Sequence, residues 1–294
     1  MHAEWLTVVS DNSRRNRPRF IVAVAAGILA AAVGIWFVAP RINGPTEAAA
    51  SVALATGEVR VTSGWLDGWH GVAEGQTLST GQTLETGPAG RGALAMPSGV
   101  SARLDHDTRL VIAGADQLKL ERGTLYVDSG AATPTARLDV ITPSGSVRHI
   151  GTQYEAHLSK TSVRLRVRDG RIEWRSRIGE IERSRSGEQL TISDDGSVVR
   201  KPIPGYGASW DWAAAAAPAI EIEGMPLAAF LSWAARELGR EIAYASPQTA
   251  TEVAGIVVHG SIAGLTPTQA LDAVLATTNV RAAVADGHIL VERH

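Results

Sequence analysis

Residues 162–176 read SVRLRVRDGRIEWRS. Val163, Leu165 and Val167 alternate with Arg164, Arg166 and Arg168, the two-residue period that sends successive side chains to opposite faces of a β-strand. A helix would scatter both sets around its axis, so the stretch reads as a strand with one apolar and one basic face. Asp169-Gly170 then has the composition of a two-residue hairpin turn into Arg171-Ile172-Glu173-Trp174. Working outward, the same kind of run recurs. Leu54 to Val61 opens the series, and ALAMPSGVSARLD, RLVIAG, LKLERGTLYVDSG, ARLDVITPSGSVRHIG, YEAHLS and GEQLTIS continue it. Each run is rich in Val, Ile, Leu or Thr and closes at Gly, Pro, Asp or Ser. A repeat of about ten residues is the mark of an antiparallel sandwich, barrel or β-solenoid. Residues 51–203 are therefore expected to form an all-β domain.

Downstream the pattern changes. Residues 204–218, rich in Pro, Gly and then Ala, read as a linker with room for a helical turn. Residues 219–294 read as a small α+β domain of order β-α-β-β-α-β-β. Ile220-Glu221-Ile222 is its first expected strand. Leu227, Phe230, Leu231, Ala234 and Leu238 then line one helical face behind Pro226, and Gly239 suits the cap. Glu241 to Tyr244 and Gly255 to Gly260 read as strands. Thr266-Pro267 opens a second helix carrying Leu271, Val274 and Leu275. Asp286-Gly287 joins a closing hairpin.

Upstream, Phe20 to Ala39 is uncharged and about twenty residues long, enough to cross a bilayer as a single transmembrane helix. Arg14, Arg15, Arg17 and Arg19 precede it and only Arg41 follows closely, which places residues 1–19 in the cytoplasm as a basic tail. A cleaved signal peptide would have a shorter apolar run with its small-residue site close behind. Residues 40–50 read as a linker. The 294-residue chain has a net charge of −2, so nothing pulls it globally toward nucleic acid. It contains no Cys, which excludes disulfides, thiolate nucleophiles and Cys-based metal sites.

Several motifs, taken in order, resemble those of the FecR family of membrane-bound regulators. Met96-Pro97-Ser98-Gly99 with Ala102-Arg103-Leu104 is similar to its "PDGS" turn and strand, with the acid replaced here by Ser98. Leu120 to Val127, Ile141-Thr142-Pro143, Ile150 to Ala156, Val163 to Glu173 and Gly187 to Leu190 resemble its later landmarks. Residues 219–294 resemble the short N-terminal (STN) domain of secretins and TonB-dependent receptors, and Trp210-Asp211-Trp212 suits the lead-in. The family usually has a folded cytoplasmic domain that binds a sigma factor, where this chain has its short tail. The resemblance implies a single-pass inner-membrane protein with its bulk in the periplasm. Its partners would be an outer-membrane TonB-dependent receptor's signalling domain or another STN-type domain, and a sigma factor or a regulator of one. The output would be sigma-factor-controlled transcription of the iron or siderophore type. A non-signalling envelope scaffold for a secretin or transport complex is the alternative.

No catalytic motif, phosphate loop or dinucleotide fingerprint is present, so no enzyme, cofactor or metal is expected. The resemblance singles out one bond, Gly151-Thr152, at which several FecR-type proteins cleave themselves. A Thr hydroxyl held against the preceding carbonyl can attack it when the peptide is strained; the other reading is an ordinary strand residue after a Gly bulge. Arg164, Arg166 and Arg168 suit either a solvated sheet face or a docking face for an acidic partner or anionic lipid. Asp105-His106-Asp107 reads as a polar turn. Trp65 and Trp69 read as lids on the β core.

Overall fold

The computed structural model describes residues 48–64, 66–130, 137–285 and 287–293. The transmembrane reading of Phe20 to Ala39, the cytoplasmic tail and Trp65 lie outside the described residues. Among those residues no helix is long and apolar enough to cross a membrane.

Fifteen strands form one branched sheet system. They are β1 (Ala48–Thr56), β2 (Val59–Thr62), β3 (His70–Gly71), β4 (Thr77–Ser79) and β5 (Thr83–Thr86), then β6 (Arg91–Ala95), β7 (Ser101–Leu104), β8 (Arg109–Gly114), β9 (Gln117–Asp128) and β10 (Asp139–Thr142). The set closes with β11 (Gly145–Leu158), β12 (Ser162–Ser176), β13 (Ile181–Arg185), β14 (Glu188–Ser193) and β15 (Val198–Pro202). The main path runs β15-β14-β12-β11-β10-β9-β7-β6-β1-β4, with β9 also paired to β11 and β8. All pairings are antiparallel except β10 with β9. β1 begins at Ala48, so the last residues of the expected first linker already belong to the sheet.

Apolar side chains of alternate positions fill the interior. Val163, Leu165 and Val167 are fully buried in it, as their period required. The expected hairpin at Asp169-Gly170 does not form. β12 runs through both residues, and its true reversal from β11 lies in the turn just before Ser162. Gly170 has φ 79, but it opposes a register shift in β11 around Gly151 and Thr152 and produces a bend rather than a turn. A Cβ at Gly170 would collide with the Gly151 carbonyl, so only glycine permits this close approach.

The chain then passes through a 3-10 turn (Ala208–Trp210) into α1 (Asp211–Ala215). This segment was expected as a linker. Instead Trp210, Ala213 and Ala216 are buried, and Trp210 packs edge-on against Tyr126 of β9. The remaining elements are β16 (Met225–Pro226), α2 (Leu227–Leu238), β17 (Glu241–Tyr244), α3 (Pro247–Ala254), β18 (Val257–Val258), α4 (Pro267–Leu275), β19 (Val280–Ala285) and β20 (His288–Arg293). Ile220 to Ile222 is not a strand; Ile222 is buried, and β16 pairs with β18 in its place. α3 was not foreseen, because only Thr249 and Val253 of its eight residues are buried and no stripe marks it. Its start is nevertheless encoded: the Ser246 hydroxyl accepts from the Thr249 amide ahead of Pro247. α4 has the full capping box between Thr266 and Gln269. Leu227, Phe230, Leu231 and Ala234 meet Leu271, Val274, Ile289 and Val291 in a second core.

Candidate functional site

The site is built on the face of the sheet opposite Val163, Leu165 and Val167. Pairing registers place Arg103, Tyr126, Glu155, Arg166, Gln189 and Lys201 directly opposite one another in sequence across β7, β9, β11, β12, β14 and β15. Residues in register across neighbouring strands share a face, so these side chains form one polar row. The row is not a free surface. Arg103 is 2% exposed, Glu155 1%, Arg166 7% and Arg168 6%. Only Arg164 of the three expected docking arginines keeps substantial access to solvent. Of the basic face that suits either solvent or a docking partner, Arg166 and Arg168 are covered by later residues of the same chain, and Arg164 stays accessible.

Residues 204–216 and the end of α2 form the cover. Arg166 donates to the Ser209 carbonyl at 3.1 Å and hydroxyl at 2.6 Å, and its guanidinium lies 4.1 Å over the Trp210 ring. Trp212 Nε1 donates to Glu155 at 3.0 Å, while Arg164 and Arg166 flank the same carboxylate. Arg168 donates to the Gly205 carbonyl at 2.7 Å and to the Tyr126 hydroxyl at 3.3 Å. The deepest contact joins Arg103 to Glu237 of α2. Two bonds of 2.6 and 2.8 Å form a bidentate pair, and the Ala213 carbonyl accepts from Arg103 at 2.9 Å. Beside it, Arg236 pairs with Asp128 of β9 and, at 3.7 Å, with Asp169. α2 ends at Gly239 in the left-handed conformation, φ 63. A side chain there would strike the Gly205 carbonyl and the Arg168 guanidinium, so the cap is also what lets the helix end approach the sheet.

Burial opposes the charge on Arg103, but Glu237 and Asp128 outweigh it and hold the guanidinium above the ordinary arginine range. Burial likewise penalises the Asp128 carboxylate, and the hydrogen bond from Arg236 and the charges of Arg236 and Arg103 reverse the effect, so its pKa lies below the usual value. Tyr126, sealed among these groups, is pushed up to about 12 by burial. Arg166 moves the other way: burial lowers it and Glu155 restores only part. The pairing is imperfect, because the Nε atoms of Arg103, Arg164 and Arg236 are buried without a hydrogen-bond acceptor. A buried ion-pair network of this kind contributes little net stability against an apolar replacement, yet strongly penalises loss of one partner. It ties the end of α2 to β7 and β9 of the sheet.

Gly151-Thr152 lies next to this joint. Asp128 accepts from the Gln153 side chain at 2.8 Å, and the following residue, Ser129, accepts the Thr152 amide at 2.8 Å through its hydroxyl. Gly151 has φ 59. Thr152 is fully buried, and its hydroxyl donates to the Arg171 carbonyl at 2.6 Å, replacing a ladder bond at the register shift. Asp105-His106-Asp107 is a turn, with Asp105 paired to Arg91 at 2.8 Å. Trp69 is partly exposed between Arg60 and Arg109 rather than covering a core. Among the described residues no group of His, Asp and Glu is arranged to hold a metal ion.

Residues 82–173 match the family model described as FecR protein. The matched segment spans β5 to β11 whole and supplies the sheet half of the joint: Arg103, Tyr126, Asp128, Glu155, Arg166 and the Gly151-Thr152 bond all fall inside it. Glu237 and Trp210 lie beyond it. Two crystal structures of a proposed anti-sigma factor from Parabacteroides distasonis ATCC 8503 are similar to the chain at 15% identity. They cover 72% of this chain and 98% and 99% of theirs, with TM-scores of 0.37 and 0.38. No curated protein matches.

Proposed function

We propose that the chain is a membrane-anchored regulator of the FecR type that relays the state of an outer-membrane TonB-dependent receptor toward sigma-factor-controlled transcription. The FecR match over residues 82–173 carries this reading. Phe20 to Ala39 would anchor the chain in the inner membrane, leaving the FecR sheet and an STN-like C-terminal domain in the periplasm. The buried joint supports a relay role, because a partner that engages the C-terminal domain acts on a body tied to the sheet through Arg103, Asp128 and Glu237. Residues 1–19 would lie on the cytoplasmic side, where the signal would pass on through a partner protein or through this basic segment.

The reading includes self-cleavage at Gly151-Thr152. In that step the Thr152 hydroxyl oxygen attacks the Gly151 carbonyl carbon, the peptide C–N bond breaks, and the Thr152 nitrogen takes up the hydroxyl proton. Water then hydrolyses the ester, leaving a Gly151 carboxylate and restoring the hydroxyl. Gly151, left-handed at φ 59, has no side chain to block the approach of the Thr152 hydroxyl to its carbonyl, which supports this step. The test is transcript profiling of a deletion strain against the same strain complemented with the full-length chain. A defined set of sigma-dependent transcripts should change and be restored by complementation. Identical profiles in the two strains would refute the regulatory reading.

A further inference from the structure

A cleft of about 510 Å³ opens where the cover over the polar face stops. The pairing registers explain its place. Glu155 opposes Arg166 in the row that the cover closes, and His157 opposes Arg164 two residues further along the same strands. That second row, with Lys201 of β15, is one side of the cleft; Ser209 and Trp212 of the cover are the other. A cleft of this volume suits a small molecule. Arg166 and Glu155 are recessed in it, 7% and 1% exposed.

The charges in the cleft do not balance. Arg164, Arg166 and Lys201 line it together with two carboxylates, Asp105 and Glu155. Asp105 is already engaged by Arg91 at 2.8 Å and by His106 at 3.0 Å. Glu155 is used on both oxygens: one accepts from Arg164 at 3.2 Å, the other from Arg166 at 3.3 Å and Trp212 at 3.0 Å. Lys201 is exposed and has no ion-pair partner among the described residues. Arg164 carries five N–H donors, bonds Glu155 through one terminal nitrogen, and has its Nε buried without an acceptor. Neighbouring groups register the surplus. Burial lowers the pKa of Arg166, and the charges of Arg164 and Arg168 add to the effect. Burial likewise lowers that of His157, and Arg164 again adds to it.

We infer that this cleft binds a small oxyanion, a molecule bearing a carboxylate or phosphate group, held by Arg164 and Lys201 and bordered by Ser209 and Trp212 of the cover. The guanidinium offers a planar fork and the ammonium a point charge, a pair that suits either acid group. The recessed floor and the wall at Trp212 favour a small molecule over the surface of a folded partner. Because one wall of the cleft belongs to the cover and the other to the sheet, the bound anion would add a link between the two beside the Arg103-Glu237 joint. This inference does not depend on the signalling role proposed above.

The test is isothermal titration of inorganic phosphate, and separately of succinate, into the purified full-length protein at constant ionic strength. Saturable one-site binding of at least one of the two is expected, and the ion that binds more tightly identifies the acid group. Lys201→Gln, on an exposed side chain, should weaken binding about tenfold, the effect of losing one charge-assisted hydrogen bond. Arg164→Gln should do the same, with Glu155 still held by Arg166 and Trp212. Arg185→Gln, outside the cleft and with a side chain 79% exposed, should leave binding unchanged. No saturable binding of either ion, wild-type affinity in Lys201→Gln, or equal weakening by Arg185→Gln would overturn the inference. So would binding of a Glu-rich hexapeptide by a protein that takes up neither ion, which would assign the cleft to an acidic protein segment instead.

Discussion

Replacing Glu237 tests the joint most severely. Its carboxylate is 6% exposed and bound twice by Arg103, itself 2% exposed. Glu237→Leu leaves a buried guanidinium whose nearest remaining carboxylate, Asp128, stands at 3.9 Å. Loss of one partner from a buried pair costs about 3–5 kcal/mol, and Asp128 should hold the cost near 3. Arg103→Met should cost a similar amount by stranding Glu237. The double variant should lie close to either single one, because two apolar side chains fill the space without an uncompensated charge. It will not recover fully, since Asp128 and the Ala213 carbonyl also lose a donor. The coupling energy is then about 2–3 kcal/mol. Urea unfolding followed by tryptophan fluorescence reads it, with Trp210 and Trp212 in the cover as reporters. A loss of this size moves the midpoint by about 1 M or more. Strict additivity of the two single variants would refute the argument that this pair registers the C-terminal domain on the sheet.

Gly170→Ala should lower stability by about 2 kcal/mol or more, since it adds a collision with the Gly151 carbonyl to an unfavourable φ; Gly151→Ala, whose Cβ meets nothing within 4 Å, should cost only about 1 kcal/mol in the same thermal melts. His149 is buried with neither ring nitrogen bonded, and burial lowers its pKa from 6.5. The unfolded chain therefore takes up a proton that the folded chain refuses, so stability should fall as pH drops below about 6.5, and His149→Leu should flatten that fall in pH-dependent melts. Asp128 has a lowered pKa, so its contribution is present above 3.8 and is lost as pH falls below it; limited proteolysis should show the C-terminal domain loosening there, and Asp128→Asn should loosen it already at neutral pH. Thr152→Ala should abolish any fragment ending at Gly151 in mass spectra of the expressed protein; an uncut wild-type chain would remove self-cleavage from the mechanism.

The strand pattern was legible because alternation is local: Val163, Leu165 and Val167 state their own burial. The arginines between them were not, because the groups that bury Arg166 and Arg168 lie far along the chain, at Ser209, Trp210 and Gly205. Arg103 and Glu237 are separated by 134 positions, and neither lies on an apolar stripe that would have drawn notice. Asp169-Gly170 carries the same composition whether glycine reverses a strand or bends it, and only the opposing bulge at Gly151 selects the bend. The second helix-capping signal, Thr266 with Pro267, was clear beside an apolar face. The equivalent signal at Ser246-Pro247 stands beside no apolar face, because its helix hides only one aliphatic side chain, Val253. The Trp210-Asp211-Trp212 lead-in was the nearest sequence trace of the cover: aromatic residues in an Ala- and Gly-rich stretch have little reason to be there unless they pack on something.

The measurement that bears most directly on the regulatory role is affinity capture of the full-length chain from crosslinked native membranes, with mass spectrometry of partners and of bait fragments. Recovery of a TonB-dependent receptor together with a sigma factor or its regulator is the expected result. Recovery of secretion or envelope-assembly components alone, with an intact bait, would contradict it.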